Sequence, residues 1–338
     1  MPTVSSSATF VFGLALSILV TDVACAESRA ARNLTSALQS VVSVLPEWPS
    51  DAQRIEEPEA SGVVVQDGHI IATAAHVVAK AISLRVRTSD GDILDAKLIA
   101  IDKPTDLAAL RIEQALPAIE FADAPVELGA QVCTIGNAFG LGLSLTCGVV
   151  SGINRAGVGF NEIEDFIQTD ASVNPGASGG ALVTRDGNFV GLLSAIFTKS
   201  SDANIGVNFA VSAALVTWVM EELVKTGRVT RVLSGLRLGR SFNRLATGKL
   251  AARIVLVRPA SPAARAGLKP GDLIVRAGGR RIRKPADFRS VMNAQPPPFT
   301  LPLRVLRDGR RRKLNMKVER VRGLQLGTPS HGVEKSGQ

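Results

Sequence analysis

The segment from Thr169 to Gly180 limits what this chain can form more than any other stretch of its sequence. It places Ser178 among three glycines, with Pro175 just upstream. Such a run favours a tight irregular turn whose consecutive backbone N–H groups converge beside a hydroxyl. Acyl transfer needs a hydroxyl nucleophile next to N–H donors that hold the oxyanion. Gly-Ser-Gly runs are also ordinary loop sequences, so the hypothesis requires a base and an acid elsewhere in the chain.

The chain offers three histidines as the base, at positions 69, 76 and 331. His76 ends the apolar run 70–75 and is followed by two valines. This places it at the end of a buried strand, where an imidazole is held in one orientation and suits general-base work. A histidine in such a place is also often an ordinary core residue, so His76 needs the support of an acid.

Asp106 is the candidate acid because the apolar run Leu-Ala-Ala-Leu follows it directly. The acids at 90, 92, 95 and 102 lie in polar, turn-like surroundings instead. A carboxylate carried into low dielectric needs a partner, and an imidazole N–H is a suitable one. The order His76, Asp106, Ser178 is one of those in which Ser-His-Asp triads occur.

With these residues in place, the chain resembles serine proteases of the HtrA/Deg type with a single PDZ domain. The resemblance covers most of the chain from about residue 59 to about residue 320, through motifs at 61–64, 73–78, 106–110, 135–141, 174–180, 208–211 and 261–272. It implies a mainly β fold, with a chymotrypsin-like pair of six-stranded barrels followed by a small α+β PDZ domain. It also implies a triad of His76, Asp106 and Ser178 in the cleft between the barrels. The oxyanion hole is then formed by the N–H groups of Gly176 and Ser178.

The residue pattern is independently typical of that architecture. Between residues 60 and 224, short apolar or alternating runs are separated by Gly, Asp, Asn and Pro, as in an all-β barrel. Apolar residues at helical spacing predict a helix over 213–225, with Gly227 as its stop. We expect a signal peptide at 1–26, an N-terminal segment and linker at 27–58, the protease domain at 59–226, the PDZ domain at 227–322 and a disordered tail at 323–338.

The N-terminus indicates export to the periplasm. Residues 8–20 are apolar, and Ala24-Cys25-Ala26 offers a small-residue cleavage site after Ala26. The first ten residues lack Lys and Arg, and Asp22 lies close to this site, so a retained anchor is the alternative.

Cleavage leaves Cys133 and Cys147, which flank a glycine-rich turn and form either a disulfide or two small buried residues. No metal site or cofactor is expected.

The specificity pocket is expected to be apolar. Trypsin-like enzymes that cut after Lys or Arg carry an Asp six residues before the nucleophile, where this chain has Ser172. In HtrA-like enzymes the positions of Val173 and Ile196 line the first pocket, which implies cleavage after small or medium aliphatic residues with weak discrimination. Strand 194–197, from Ser194 to Phe197, is the expected edge for extended substrate. Asn208 departs from the family, which usually has Gly there.

The C-terminal part resembles a PDZ domain in the order of its motifs. The segment 235–239, with Gly235, Leu236, Arg237 and Leu238, resembles the loop that binds a chain-terminal carboxylate through backbone N–H groups. A strand at 254–257, a helix at 261–268, a strand at 272–275, a helix at 286–292 and a hairpin formed by 301–306 and 313–318 are expected to follow.

The net charge of +9 is concentrated in this C-terminal part, at residues 280, 281, 283, 284, 307 and 310–313. A solvated surface is the simpler interpretation, and a weak contact with an anionic membrane is the alternative. Nucleic acid is not expected, because no aromatic residues are interleaved for base stacking. The family implies a trimer, although the matching N-terminal region lacks the aromatic residues often used for trimer contacts.

Two functions follow from these patterns. The first is an exported, ATP-independent serine endopeptidase of protein quality control, whose PDZ domain binds exposed C-terminal peptides. The second is a peptide-binding chaperone or stress sensor whose peptidase activity is latent or dispensable.

Overall fold

The computed structural model describes residues 31–49, 59–196, 206–244, 248 and 250–319. The expected signal peptide, most of the linker, and the C-terminal tail lie outside these residues. Contacts divide the chain into two compact units, one formed by residues 1–229 with 286–295 and the other by 230–285 with 296–338.

The first barrel is closed by six antiparallel strands. They are β1 (Val41–Glu47), β2 (Ala60–Val65), β3 (Ile70–Ala74), β4 (Ser83–Arg87), β5 (Ile93–Asp102) and β6 (Leu107–Ile112), in the order β1-β2-β3-β6-β5-β4. Strands β2 and β3 are buried along their whole length, which explains why both are apolar, apart from Ser61 and Thr73, without a polar alternation. The core of the barrel is aliphatic, with Val64, Ile71 and Leu110 fully buried.

A second barrel of six strands follows. Its strands are β7 (Gln131–Gly136), β8 (Ser144–Arg155), β9 (Phe166–Thr169), β10 (Ala181–Thr184), β11 (Phe189–Ile196) and β12 (Asn208–Ser212), in the order β10-β11-β12-β9-β8-β7. The segment from 170 to 180 therefore connects β9 to β10. The two closed barrels confirm the all-β barrel architecture predicted from the short apolar runs and the double barrel implied by the family resemblance.

Two helices of the first unit precede and follow its barrels in the chain. Helix α1 is described over residues 31–39, and α2 runs from Ala213 to Thr226. Ser212 caps the N-terminus of α2 by accepting a hydrogen bond from the Leu215 N–H, and Gly227 ends it in the left-handed conformation. The apolar face of α2 packs on the barrels through Leu215, Val219 and Leu223.

The second unit contains an antiparallel sheet of short strands. The strands are β13 (Leu236–Arg244), β14 (Leu250–Val257), β15 (Leu273–Ala277), β16 (Arg280–Arg281), β17 (Phe299–Arg307) and β18 (Arg310–Val318), in the order β13-β14-β15-β17-β18 with β16 paired to β15. Helix α3 (Pro262–Arg265) belongs to this unit, whereas the contacts of α4 (Pro285–Asn293) assign it, from residue 286 on, to the first unit. One face of the sheet is buried through Ile274, Leu303 and Val305.

None of the helices in the described ranges has both the length and the apolar character that crossing a bilayer requires.

Candidate active site

Two hydrogen bonds join His76 and Asp106, which lie at the ends of neighbouring strands. Strand β3 pairs with β6, with Ala74 opposite Leu107. This register places His76, two residues beyond β3, beside Asp106, which immediately precedes β6. The carboxylate oxygen Oδ2 lies 2.7 Å from His76 Nδ1, and Oδ1 accepts the His76 backbone N–H at 2.9 Å. One carboxylate thus fixes both the ring and the backbone of the histidine.

Asp106 adopts a left-handed conformation that aims its side chain at His76. Its φ is 58°, and it follows a single 3-10 turn at Lys103–Thr105. The Ala75 N–H donates to its carbonyl oxygen at 3.0 Å. Asp tolerates this conformation better than most residues, so the backbone cost is modest. The side chain of Asp106 is 15% exposed and that of His76 is 47% exposed, so the imidazole edge remains open to an incoming group.

Ser178 lies next to the strand end that carries His76. Ser178 is buried, and its carbonyl oxygen accepts the Ser61 N–H at 2.9 Å. The following residue, Gly179, has φ of +85°, and an added Cβ would overlap Ser61 O and crowd Thr73 Oγ1 and Ala74 N. Only glycine allows the turn that carries Ser178 to approach β2 and β3 this closely.

Gly176 is required for a different reason. Its φ is +91°, and an added Cβ would overlap the carbonyl oxygen of Asn137. Its own carbonyl accepts a hydrogen bond from Ser61 Oγ at 2.8 Å. In the part of the chain that the structure describes, no group accepts the Gly176 N–H. This donor is therefore available to an oxyanion.

A small network of side chains holds the turn. Ser61 Oγ accepts the Asn137 N–H at 2.8 Å while donating to Gly176, and Pro175 O accepts the Phe139 N–H at 2.7 Å. The amide of Asn137 donates to Glu59 at 2.6 Å, and the same Glu59 oxygen accepts from Arg87 at 2.6 Å. The 137–140 and 175–177 turns are thus bonded to each other and to the first barrel.

Sequence reasoning assigned no role to Ser61, Asn137 or Glu59. Ser61 and Asn137 lie inside motifs that carried the family resemblance, but these motifs did not indicate which hydrogen bonds the two residues make. Glu59 carries no local signal, because its contacts with residues 87 and 137 are far away in sequence.

A second loop borders the same cleft and is organised by one buried carboxylate. Glu164 is 3% exposed and accepts the backbone N–H groups of the four residues 158–161, at 2.7 to 3.2 Å. Asn161 also donates to Thr105 O at 3.1 Å. An open cavity of about 350 Å³ is lined by this loop and the pair, through His76, Lys103, Asp106, Phe160, Asn161 and Ser194. The loop therefore forms one wall of the space in front of the imidazole.

The predicted substrate-pocket residues are only partly visible. Val173 is 2% exposed, and Ser194 is buried with its hydroxyl facing no hydrogen-bond partner among the described residues. The backbone of Ile196 belongs to β11, opposite Asn208, whereas its side chain and all of Phe197 lie outside the described residues. Asn208 is fully buried and donates to the Ala171 carbonyl at 2.8 Å. This amide ties β12 to the segment that leads to Val173.

Cys133 and Cys147 are joined by a disulfide. They lie directly opposite each other in the β7–β8 hairpin. The bond therefore ties together the two strands that flank the 137–140 turn.

The predicted carboxylate-binding loop is, apart from Gly235, part of a strand. Leu236, Arg237 and Leu238 pair with β14, opposite Val257, Leu256 and Ile254. The expectation of a loop at these three residues was therefore wrong, because antiparallel pairing continues almost to Gly235. The register of this ladder shifts between Arg237 and Leu238 and again between Leu238 and Phe242.

Comparisons with known families match both parts of the chain. Residues 60–192 match the trypsin-like peptidase domain, and residues 205–318 match the PDZ domain. These matches, together with the barrels, confirm the expected fold class.

Curated relatives are named as periplasmic serine endoproteases. DegP of Escherichia coli (strain K12) is 35% identical over 286 residues, which cover 81% of this chain and 60% of that protein. DegQ of the same organism is 32% identical over 79% of this chain and 60% of that protein. The chain thus spans about 60% of the length of these relatives.

Solved structures match over nearly their whole length. The HtrA-type protease AlgW with a tripeptide has a TM-score of 0.66 at 32% identity, covering 86% of this chain and 96% of that one. The serine endoprotease from Yersinia pestis has a TM-score of 0.57 at 31% identity, covering 87% of this chain and 98% of that one.

Proposed function

Because the chain belongs to the HtrA family of trypsin-like serine endoproteases with a PDZ domain, we propose that it is an exported, ATP-independent endopeptidase of protein quality control. Its substrates are unfolded polypeptides, cut after small or medium aliphatic residues. The periplasm is its compartment, since the curated relatives are named as periplasmic enzymes. Cleavage after Ala26 releases the chain, with a retained N-terminal anchor as the alternative.

The observation that carries the proposal is the pair of hydrogen bonds that the Asp106 carboxylate accepts from the ring Nδ1–H and the backbone N–H of His76. In the mechanism, Nδ1 of His76 donates to Asp106, which leaves Nε2 to accept the proton of Ser178 Oγ. The hydroxyl oxygen attacks the scissile carbonyl as its proton leaves. The imidazolium that forms is stabilised by Asp106 and then returns the proton to the leaving amine.

The developing negative charge on the substrate oxygen is held by the N–H groups of Gly176 and Ser178. A preorganised donor of this kind lowers the barrier by roughly 3–4 kcal/mol. The Gly176 N–H is open for this role, and hydrogen bonds from Ser61 and Phe139 to the neighbouring carbonyls fix the turn. This geometry supports an active site that is competent at rest, rather than the latent enzyme considered from the sequence.

The specificity proposal rests on the apolar character of Val173 and on the absence of an acid at Ser172. Asn208 fills space behind this segment where the family usually has Gly, which favours the smaller members of the aliphatic class. Extended substrate pairs with the strand that contains Ser194.

The PDZ domain binds exposed C-terminal peptides, and the expected assembly is a trimer. The basic PDZ residues supply charge for a weak membrane contact.

The test is digestion of reduced, unfolded casein by the protein and by its Ser178→Ala variant, with mass spectrometry of the cut sites. Cuts after Val, Ala, Leu or Ile that disappear in the variant are the expected result. Equal cleavage by the variant would show that Ser178 is not the nucleophile. Absence of cleavage and of labelling by a fluorophosphonate probe, with or without C-terminal peptides, would favour the peptide-binding function instead.

A further inference from the structure

The outer face of the sheet in the second unit carries a row of four cations. Arg281 of β16 is the register partner of Arg276 in β15, and Arg276 is the partner of Arg304 in β17. Arg304 is in turn the partner of Lys313 in β18. All four residues are exposed. Neighbouring strands lie about 4.8 Å apart, so the row extends for about 14 Å across four adjacent strands.

Two further cations belong to the same face. Arg253 of β14 is the partner of Leu273, Leu273 is the partner of Leu306, and Leu306 is the partner of Arg311. Arg253 and Arg311 are both exposed. We call these six residues the cationic sheet face. The opposite face is the buried one, because the intervening residues Ile274, Leu303 and Val305 point to the core.

This face has no compensating negative charge. Residues 230–319 contain 22 Lys and Arg but only four Asp and Glu, at positions 272, 287, 308 and 319. None of these four lies within the strands β14 to β18. Within the described residues, no member of the cationic sheet face takes part in an ion pair. Like charges placed directly opposite each other on a sheet are destabilising. The row is therefore an arrangement that an external anion would stabilise.

The rest of the chain does not share this charge. Residues 1–229 contain 14 Lys and Arg against 25 Asp and Glu. The excess of positive charge is thus concentrated in the segment that contains the sheet, and within it six cations line one exposed face.

We propose that the cationic sheet face binds the surface of an anionic phospholipid bilayer. A broad sheet face that presents several cations at once suits an extended layer of anionic headgroups, and each Lys or Arg near such a surface adds to the binding. A single-stranded nucleic acid would need aromatic side chains for base stacking, and the strands β14 to β18 contain only Phe299, at the start of β17. The proposal does not depend on the peptidase chemistry.

The experiment measures co-sedimentation of the full chain with vesicles. One set contains about 30% phosphatidylglycerol in phosphatidylcholine and the other contains phosphatidylcholine alone, so the second set reports any insertion by the apolar N-terminus. The face variant is Arg281→Gln, Arg304→Gln and Lys313→Gln together. The matched control is Arg258→Gln, Lys269→Gln and Arg289→Gln, three exposed cations outside the face, which change the net charge by the same amount.

We expect the wild-type chain to bind the anionic vesicles more tightly than the neutral ones, and less tightly as salt rises from about 0.05 to about 0.5 M. The face variant should lose about a hundredfold in affinity and the control variant less than about threefold. Casein cleavage and the melting temperature verify that both variants are folded. Equal losses in the two variants would overturn the proposal, as would equal binding to both vesicle types. Tighter binding to a DNA fragment than to anionic vesicles at the same salt would also overturn it.

Discussion

The two parts of the chain use charge in opposite ways. In the protease part, which carries the acidic excess, the carboxylates beside the cleft each organise backbone. Asp106 holds the ring and the N–H of His76, and Glu164 collects four N–H groups of one loop. In the PDZ part, cations cover an exposed sheet face, and among the residues described there only Asp272 is buried as a charge. Buried charges must be paired and therefore fix geometry, whereas exposed charges remain free to meet a partner.

Of the tests of this contrast, Asp106→Asn has the largest expected effect. The amide keeps the left-handed backbone but no longer favours the productive tautomer of His76, so kcat should fall by about 10⁴. Anionic vesicle binding, which belongs to the PDZ part, should not change. The measurement is casein turnover together with co-sedimentation. A loss of less than tenfold in kcat would mean that Asp106 does not orient the base.

A second test separates the backbone strain at Gly176 from its catalytic role. In Gly176→Ala the new methyl group overlaps Asn137 O, so the turn must move and the oxyanion donor is misplaced. We expect kcat to fall by about 10²–10³. Gly91→Ala is the matched control, because Gly91 also has a positive φ of +98° but no atom within 4 Å of an added Cβ. Similar losses of kcat in both variants would attribute the effect to strain alone.

Glu164→Gln examines whether a buried carboxylate sets the cleft wall. The amide can no longer accept from all four N–H groups, and each unsatisfied donor costs roughly 1–3 kcal/mol. We expect a lower melting temperature and a KM for casein peptides raised about tenfold, with a smaller change in kcat, since the loop lines the substrate space rather than reacting. Glu162→Gln, at an exposed neighbouring position, should leave both unchanged. An unchanged KM in the Glu164 variant would show that the loop does not contact substrate.

The smallest expected effect concerns Asp272, a buried acid of the PDZ part. Burial would raise the pKa of Asp272, but hydrogen bonds from Arg307 and the Lys269 N–H, with the charges of Arg307 and Arg312, outweigh burial and lower this pKa below 3.8. A carboxyl group whose pKa is lowered on folding stabilises the fold above its unfolded pKa. That stability is lost as the pH falls below about 4 toward the folded pKa.

The measurement is hydrogen exchange of strands β15 and β17 in the full chain between about pH 5 and pH 3, with the known pH dependence of intrinsic exchange removed. Protection should decline with acid in the wild type. Asp272→Asn should show less protection already at pH 5 and a flatter decline, because it leaves Arg307 without its partner. Identical profiles in the two proteins would mean that the pair does not stabilise the sheet.

Much of the fold followed from local patterns. Short apolar runs separated by Gly, Asp and Pro predicted an all-β barrel architecture, and helical spacing with Gly227 predicted the end of α2. The number of barrels came from the family resemblance. The interpretation failed at Leu236–Leu238, where a loop was expected and a strand was found. Resemblance to a binding loop outweighed the alternating Leu-Arg-Leu pattern there, which is itself typical of a strand.

The sequence by itself determined the identity of the candidate catalytic groups, because few residues can act as nucleophile, base and acid, and their neighbours mark them. It also determined that positive charge is concentrated in the PDZ part. Only the tertiary structure decided how these groups are held. Glu59, Ser61, Asn137 and Glu164 fix the cleft through contacts with side chains and backbone that are often distant in the chain, and the register of β15 to β18 aligns four cations in a row. Such placements depend on strand pairing between distant segments, which no local pattern of residues encodes.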